Sequence, residues 1–179
     1  MLVDNGYEII NNFISHDFSD YLNFQVMNRL KKGEVERHIN DKRTNHSYSF
    51  ARKKFLDDLS LYATDRIKHQ LGVSDLFPHY NYVRIYENGS FLEPHRDADY
   101  LQYSLSINVC DMIYPLFVKN KLNWDELILK KGDAVLLYSN KTLHKRDTLV
   151  CKEGEYMTSI ILFFNQNKLE KTDQFGIEL

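Results

Sequence analysis

The chain has 179 residues, of which 43% are hydrophobic, and a formal net charge of −2. This length and composition predict one folded domain with its own core and exclude a disordered chain. The near-neutral charge gives no general attraction to nucleic acid or anionic membranes, no apolar run is long enough to cross a bilayer, and two cysteines make no disulfide framework.

The first predicted elements are a short strand and a helix. Residues 7–10 predict the strand, and residues 17–31 predict the helix from their apolar face. Ser15 is placed to cap the helix N-terminus, and Gly33 is placed to end it. With no secretory signal visible before these elements, a cytoplasmic protein is the expectation.

A loop and a second helix come next. Residues 36–49 show no clear periodicity and predict a long loop, of the kind that often forms a lid or a binding loop. Residues 51–70 repeat apolar side chains near the helical period, and Gly72 is expected to end this helix. Residues 31–54 are locally basic, which suits either an anionic substrate or simply a solvated helix end and connector. The second interpretation is favoured.

The second half of the chain predicts strands separated by turn residues. Residues 103–109 alternate polar and apolar side chains, as a strand with two different faces should. The predicted strands cover about residues 80–86, 103–110, 114–119, 127–129, 134–139 and 156–165. Two helices followed by many strands predict a mostly β fold with N-terminal helices (α+β), and periodicity alone does not choose between a jelly roll and a related barrel.

The most informative motif is His95-Arg96-Asp97 with the distant His144. Residues two apart in a strand point to the same side, so His95 and Asp97 can bind one metal from a strand end. The interval before His144 is long enough for several strands, so a neighbouring strand can bring His144 to the same cavity. Two imidazoles and one carboxylate on one face of a metal are the ligand set of non-haem Fe(II) oxygenases, although they also suit Mn, Ni, Cu or Zn.

Three further segments accompany this motif: a strand running into a turn at residues 82–89, a strand, turn and strand at 127–138, and an apolar run at 157–164. Together with the motif they resemble the Fe(II)/2-oxoglutarate-dependent oxygenase superfamily in its small prolyl-hydroxylase-like form. The resemblance implies a double-stranded β-helix (jelly-roll) core over about residues 76–168, helical support over about 1–75, and a single domain over 1–179.

The resemblance also implies an enzyme, a dioxygenase that most often acts as a hydroxylase. It implies that His95, Asp97 and His144 are the catalytic metal ligands, with 2-oxoglutarate as cosubstrate, dioxygen as oxidant and ascorbate as a possible reductant. Succinate and carbon dioxide would be released while an amino acid, a small metabolite or a peptide residue is hydroxylated. Because the acid ligand Asp97 is retained, halogenation is not expected.

The chain departs from the family pattern at the anchor of the cosubstrate. The family usually carries Arg or Lys about ten residues beyond the distal histidine, where it pairs with the far carboxylate of 2-oxoglutarate. Here Glu155 or Tyr156 falls at that place. Arg146, two residues past His144, is the best substitute, because one strand step of two returns it to the same side; a surface salt bridge is its simpler role.

Three further residues are candidate cosubstrate contacts. Arg84 lies on the strand that enters the motif and is a second possible anchor. Tyr86 lies near where relatives carry a tyrosine that hydrogen-bonds the cosubstrate, and Ser106 could add a hydroxyl group. The simpler roles are a core tyrosine on a sheet and the polar face of a strand.

Two other functions remain open at this point. The missing basic residue favours the first, a cupin-type metal-dependent dioxygenase that does not use 2-oxoglutarate. The second is a degenerate fold that acts as a binding module, and the intact metal-binding motif argues against it. The substrate signals favour a small molecule or peptide over nucleic acid, no membrane association is expected, and the sequence makes no prediction of oligomeric state.

Overall fold

The computed structural model describes residues 5–39 and 41–167; residues 1–4 and 168–179 of the predicted domain lie outside the described residues. The described part is mostly antiparallel β structure with two helices, which confirms the predicted fold class. The elements are β1 (Tyr7–Ile10), α1 (His16–Lys31), β2 (Glu36–His38), β3 (Thr44–Ala51), α2 (Lys54–Leu71), β4 (Phe77–His95), β5 (Tyr103–Asn108), β6 (Leu116–Asn120), β7 (Asn123–Leu127), β8 (Ala134–Leu137), β9 (His144–Arg146) and β10 (Met157–Asn165).

The strands form a double-stranded β-helix that turns on the long strand β4. The first part of β4 pairs with β10, and the sheet continues through β5 and β8 to β1. Strand β3 pairs with the other edge of β4, and β2 pairs with the outer edge of β3. The last residues of β4 pair with β9, which leads through β6 to β7. One strand therefore belongs to both halves of the β-helix.

Strand β4 bends where the sequence predicted a turn. Gly89 has φ +85°, a conformation that glycine adopts readily and other residues avoid, and its N–H donates to the Leu149 carbonyl oxygen at 2.9 Å. The chain nevertheless continues as a strand to His95. The strand predicted at the start of residues 82–89 is present, but the turn predicted at its end is wrong, because β4 continues through Gly89 with an irregular register against β3.

The two faces of the central strands have different surroundings. Val83 and Ile85 of β4 are fully buried in the main core cluster, which also receives Leu22 of α1 and Ile67 of α2. The alternate β4 residues face an internal cavity instead. Because strand side chains alternate between faces, the helices cover one side of the sheet and leave the other side to form the site.

Both helices have the predicted termini. The Ser15 side chain accepts a hydrogen bond from the Phe18 N–H at 3.2 Å and caps α1. Gly72 closes α2 in the left-handed conformation, although this helix begins at Lys54 and not at residue 51. Within the described residues, neither helix combines the length and the apolar character that a membrane span requires.

Two predictions about the strands are wrong, and one strand was not predicted. Residues 36–49 are not a long loop, because β2 and β3 form an antiparallel hairpin in which Arg37 faces Tyr48. The predicted strand at 127–129 is in fact β7, which ends at Leu127. Strand β9 was not predicted: its three residues are held as a strand only because β4 and β6 pair with it on both sides, and so short a segment has no periodicity of its own.

Candidate metal centre

Strand pairing brings the two predicted histidine ligands together. His95 is the last residue of β4 and His144 is the first residue of β9, and the two face each other in the antiparallel register. Their ring centroids are 4.3 Å apart. Asp97 follows directly after β4, and its N–H donates to the Ser139 carbonyl oxygen at 3.1 Å, which fixes the backbone of the third ligand.

The side chains of His95, Asp97 and His144 offer ligand atoms that all lie within 4.8 Å of one another. One such pair is His95 Nε2 and Asp97 Oδ1, at 3.6 Å. Two imidazole nitrogens and one carboxylate oxygen at this spacing fit a single divalent metal ion, with ligand positions left for small molecules.

Backbone carbonyls select the ring nitrogen that each histidine would give to a metal. His95 Nδ1 lies 2.8 Å from the Glu93 carbonyl oxygen, and His144 Nδ1 lies 3.0 Å from the Thr142 carbonyl oxygen. A carbonyl oxygen only accepts, so both Nδ1 atoms carry the proton and both Nε2 lone pairs are free. Histidine ligands of metals usually donate their other ring N–H to a carbonyl or carboxylate oxygen in this way. The residues present therefore fit a metal.

Burial keeps His144 in its neutral form. The residue is only 6% exposed, and this burial lowers its pKa below the usual value even though the nearby Asp97 carboxylate acts in the opposite direction. A metal binds the neutral imidazole and not the imidazolium ion. His144 is therefore ready to act as a ligand at neutral pH.

The three candidate ligands lie in the wall of a cavity of about 1270 Å³ between the two halves of the β-helix. Arg84, Tyr86, Ser106 and Arg146, all predicted cosubstrate contacts, line the same cavity. Tyr156, the fifth predicted contact, is not among the described residues of this lining; its ring packs edge-on against Tyr48, with centroids 6.5 Å apart. Tyr156 stands just before β10 and packs, partly buried, against the main core cluster.

Arg146 is a buried cation packed against two tyrosine rings that also contact each other. The residue is 4% exposed, and its guanidinium carbon lies 5.4 Å from the centroid of the Tyr86 ring and 4.8 Å from that of Tyr114. The guanidinium also donates to the Tyr114 carbonyl oxygen. Among the described residues no carboxylate lies within 4.0 Å of it. A buried charge without a counter-ion is costly, so this cavity wall favours an anionic ligand.

Tyr114 connects this cluster to the backbone through its hydroxyl group. Its hydroxyl group lies 2.9 Å from the Ser90 carbonyl oxygen and 2.5 Å from the Asp147 carbonyl oxygen, so it can donate its single proton only to one at a time. Burial raises the pKa of the Tyr114 phenol, which keeps it protonated and able to donate. The Tyr86 ring meets the Tyr114 ring edge-on at 5.2 Å. No local sequence pattern predicts these contacts of Tyr114, because its partners come from distant parts of the chain.

Strand β10 supplies no basic residue to the cavity. Ser159, Ile161 and Phe163 of β10 line it, and Met157 packs in a small apolar cluster with Tyr86 and Tyr114. None of the nine residues of β10 is basic. Arg146 of β9 joins the same cluster through its contacts with both tyrosine rings. The buried cation therefore comes from β9, which pairs with β4 and not with β10.

Sequence reasoning missed the aromatic residues of the cavity. Tyr80, Tyr82 and Phe163 line it, together with Arg52. The signal was available, because Tyr80, Tyr82, Arg84 and Tyr86 alternate along one predicted strand and must share one face of it.

No family model matches the chain, and no curated protein matches it. Solved structures do match. A prolyl-4-hydroxylase of Pseudomonas putida is 17% identical and superimposes with a TM-score of 0.73, over 93% of this chain and 96% of that one. HygX of Streptomyces hygroscopicus, solved with nickel and 2-oxoglutarate bound, is 10% identical with a TM-score of 0.71, over 91% and 84%.

A third solved structure, the non-haem α-ketoglutarate-dependent epimerase SnoN from nogalamycin biosynthesis, is 14% identical and has a TM-score of 0.75, over 91% of this chain and 79% of that one. At these identities the likeness shows the fold. The chain has the fold of the Fe(II)/2-oxoglutarate oxygenases, as the sequence resemblance implied, and the solved neighbours include both a hydroxylase and an epimerase.

Proposed function

We propose that this protein is an Fe(II)- and 2-oxoglutarate-dependent dioxygenase that hydroxylates a small molecule or a peptide residue. The observation that carries the proposal is the cluster of His95, Asp97 and His144, whose ligand atoms lie within 4.8 Å of one another in the wall of a large cavity. The fold shared with enzymes of this chemistry supports it. When bound, iron and 2-oxoglutarate would supply the oxidising power, through oxidative decarboxylation of the keto acid by dioxygen.

The chain's own residues would position these groups. His95 and His144 would present Nε2 to the metal, because backbone carbonyls hold both Nδ1 protons. Asp97 would add a carboxylate and lower the net charge of the complex.

Arg146 would neutralise the far carboxylate of 2-oxoglutarate. It is buried, it lines the cavity and it lies two residues from His144 on the same strand. Its contacts with the Tyr86 and Tyr114 rings and its hydrogen bond to the Tyr114 carbonyl oxygen restrict the guanidinium, so little conformational entropy would remain to be lost on binding. Tyr86 and Ser106 line the same cavity and can add hydroxyl groups to the cosubstrate site.

We further propose that residues 1–179 form one domain that works in a reducing compartment such as the cytoplasm. Both cysteines, Cys110 and Cys151, are free thiols, which suits such a compartment. Cys110 is buried and hydrogen-bonded, and burial raises the pKa of its thiol, so it is expected to be unreactive.

The test is an anaerobic titration. Fe(II) and then 2-oxoglutarate are added to the purified protein, and the visible charge-transfer absorption of the iron–keto acid chelate is followed. We expect a saturable band in the wild type and none in His144→Ala. His69→Ala is the matched control, since His69 is exposed near the end of α2 and away from the cavity.

The outcomes separate the competing functions. Iron binding without the band would contradict the use of 2-oxoglutarate and favour a cupin-type dioxygenase. No iron binding at all would overturn the proposed enzyme and favour a binding module. A band that survives in His144→Ala would show that the metal ligands lie elsewhere.

A further inference from the structure

Three aromatic rings in mutual contact form one side of the cavity. Phe163 of β10 lies against two tyrosines of β4: its centroid is 6.1 Å from that of Tyr80, with planes 30° apart, and 6.0 Å from that of Tyr82, with planes 17° apart. The two tyrosine centroids are themselves 5.8 Å apart, with planes at 35°. We call Tyr80, Tyr82 and Phe163 the aromatic wall. Antiparallel pairing of β4 with β10 fixes its geometry, because Phe163 faces Tyr80 in the register.

A guanidinium group lies over each end of the aromatic wall. The guanidinium carbon of Arg52 is 5.6 Å from the Tyr80 centroid, and that of Arg84 is 5.5 Å from the Tyr82 centroid. Both arginines line the cavity. Arg52 is exposed, whereas Arg84 is partly buried and donates a hydrogen bond to the Ser47 hydroxyl oxygen at 3.4 Å. Arg84 is therefore the better ordered of the two cations.

The charge of Arg84 is not neutralised by a contact within the described chain, where no carboxylate lies within 4.0 Å of it. The acids of the cavity make other contacts, although the Arg84 guanidinium contributes, after the Arg43 N–H, to lowering the pKa of Asp41. Asp41 accepts from the Arg43 N–H at 2.8 Å, and Asp57 accepts from the Asn81 amide at 2.7 Å. Asp97 belongs to the metal centre, and Glu36 is exposed. An anion entering the cavity would find Arg84 free to pair.

The aromatic wall and the candidate metal ligands line the same cavity. The pKa of the Tyr82 phenol is raised mainly by burial, and the Asp97 carboxylate lies near enough to raise it further. The cavity, at about 1270 Å³, exceeds the range of about 300–1,000 Å³ typical of small-molecule sites, so a substrate can lie on the wall while the cosubstrate occupies the Arg146 side.

We propose that the substrate of this site is an organic anion carrying a flat unsaturated ring, with the ring against the aromatic wall and the anionic group on Arg84. This inference rests on the proposed oxygenase function and names its substrate class. Flat rings gain from offset stacking on tyrosine and phenylalanine beyond the area that they bury. A partly desolvated guanidinium pairs with carboxylate, phosphate or sulfonate oxygens through charge-assisted hydrogen bonds.

A pair of fluorescent probes with the same rings tests the proposal without metal or turnover. Anilinonaphthalene sulfonate carries an anionic group, and phenylnaphthylamine lacks it. We expect Arg84→Gln to weaken binding of the sulfonate probe about five- to tenfold and to leave the neutral probe unchanged. Tyr80→Leu, on a partly exposed part of the wall, should weaken both probes. Lys121→Gln removes the same charge on the exposed turn between β6 and β7 and should change neither.

The titrations are repeated with Ni(II) and 2-oxoglutarate at saturation, and the sulfonate probe should remain bound. Displacement of the probe would overturn the proposal, because it would place the anion in the cosubstrate position. Equal affinity of wild type and Arg84→Gln for the sulfonate probe would overturn it as well. Since the probe titrations without metal need neither iron nor keto acid, they stay readable even if the oxygenase function itself fails.

Discussion

Arg146 shows how one buried side chain can serve binding at the expense of stability. Its guanidinium is 4% exposed and has aromatic neighbours but no carboxylate contact within the described residues. Replacing a buried charge by an apolar side chain is often neutral or stabilising, whereas leaving it unpaired is costly. A chain that keeps such a charge without a counter-ion is expected to obtain the counter-ion from a ligand.

Arg146→Met should therefore separate affinity from stability. The concentration of 2-oxoglutarate that half-saturates the iron complex should rise about 10- to 100-fold, because a hydrogen bond to a charged group contributes about 1.5–3 kcal/mol. The free energy of unfolding should fall little or even rise. Spectroscopic titration gives the first quantity, and urea unfolding gives the second.

Lys145→Met is the control for this variant. Lys145 lies between His144 and Arg146, but its ammonium group pairs with Asp147 at 2.6 Å and lies over Trp124, away from the cavity. The requirement for 2-oxoglutarate should not change. If Arg146→Met also leaves the requirement unchanged in a folded protein, Arg146 is not the anchor, and the role passes to Arg84.

At the scale of elements, the turn before β8 ties the N-terminal segment to the sheet. Gly132 accepts the Ile14 N–H through its carbonyl oxygen at 3.1 Å and donates its own N–H to the Asn108 carbonyl oxygen at 2.8 Å. It has φ +87°, and a Cβ atom at this position would lie 2.6 Å from the Ile14 carbonyl oxygen. Both the backbone conformation and the close approach therefore require glycine here.

Gly132→Ala should cost at least about 3 kcal/mol of unfolding free energy, because backbone must move as well as adopt a strained conformation. Gly154→Ala is the matched comparison: Gly154 has φ +82°, but nothing lies within 4 Å of a Cβ placed there. That variant should cost about 1 kcal/mol, from the conformation alone. Equal costs in urea unfolding would show that the approach to Ile14 does not constrain the turn.

The sequence predicts the elements that carry their own periodicity or caps. The helix ends at Ser15 and Gly72 and the alternating strand β5 are examples. The hairpin of β2 and β3 could not be predicted, because its residues are mostly polar and become strands by pairing with each other and with β4. The same holds for β9, whose strand character comes from its neighbours on both sides.

At the scale of the whole molecule, the metal cluster was predictable and its surroundings were not. His95 and Asp97 are only two residues apart, so the sequence alone could predict that they bind one metal. His144 is distant in the sequence, and the family resemblance supports its place as the third ligand. The cluster of Arg146, Tyr86 and Tyr114 joins β9, β4 and the segment before β6, and the aromatic wall needs the register of β4 with β10. Such contacts depend on how the β-helix closes, which no local pattern encodes.

Closure of the β-helix around the cavity also makes ligand binding a reporter of global stability. A ligand that binds only the native state at about 100 times its Kd stabilises that state by about 2.7 kcal/mol, or about 5–11 °C in Tm for a chain of this size. Ni(II) with 2-oxoglutarate should raise the Tm of the wild type by that amount in a thermal unfolding scan. 2-Oxoglutarate alone should raise it far less, since without the metal only the Arg146 end of the site would hold it.

His95→Ala should abolish this stabilisation, because removal of one ligand of three weakens both the metal and the keto acid that depends on it. His69→Ala, which removes an exposed histidine near the end of α2, should keep the full shift. A shift retained in His95→Ala would mean that the metal binds outside the cluster of His95, Asp97 and His144. Since β4 joins both halves of the β-helix and ends at His95, loss of the shift in this variant alone would connect the metal centre directly to the stability of the whole fold.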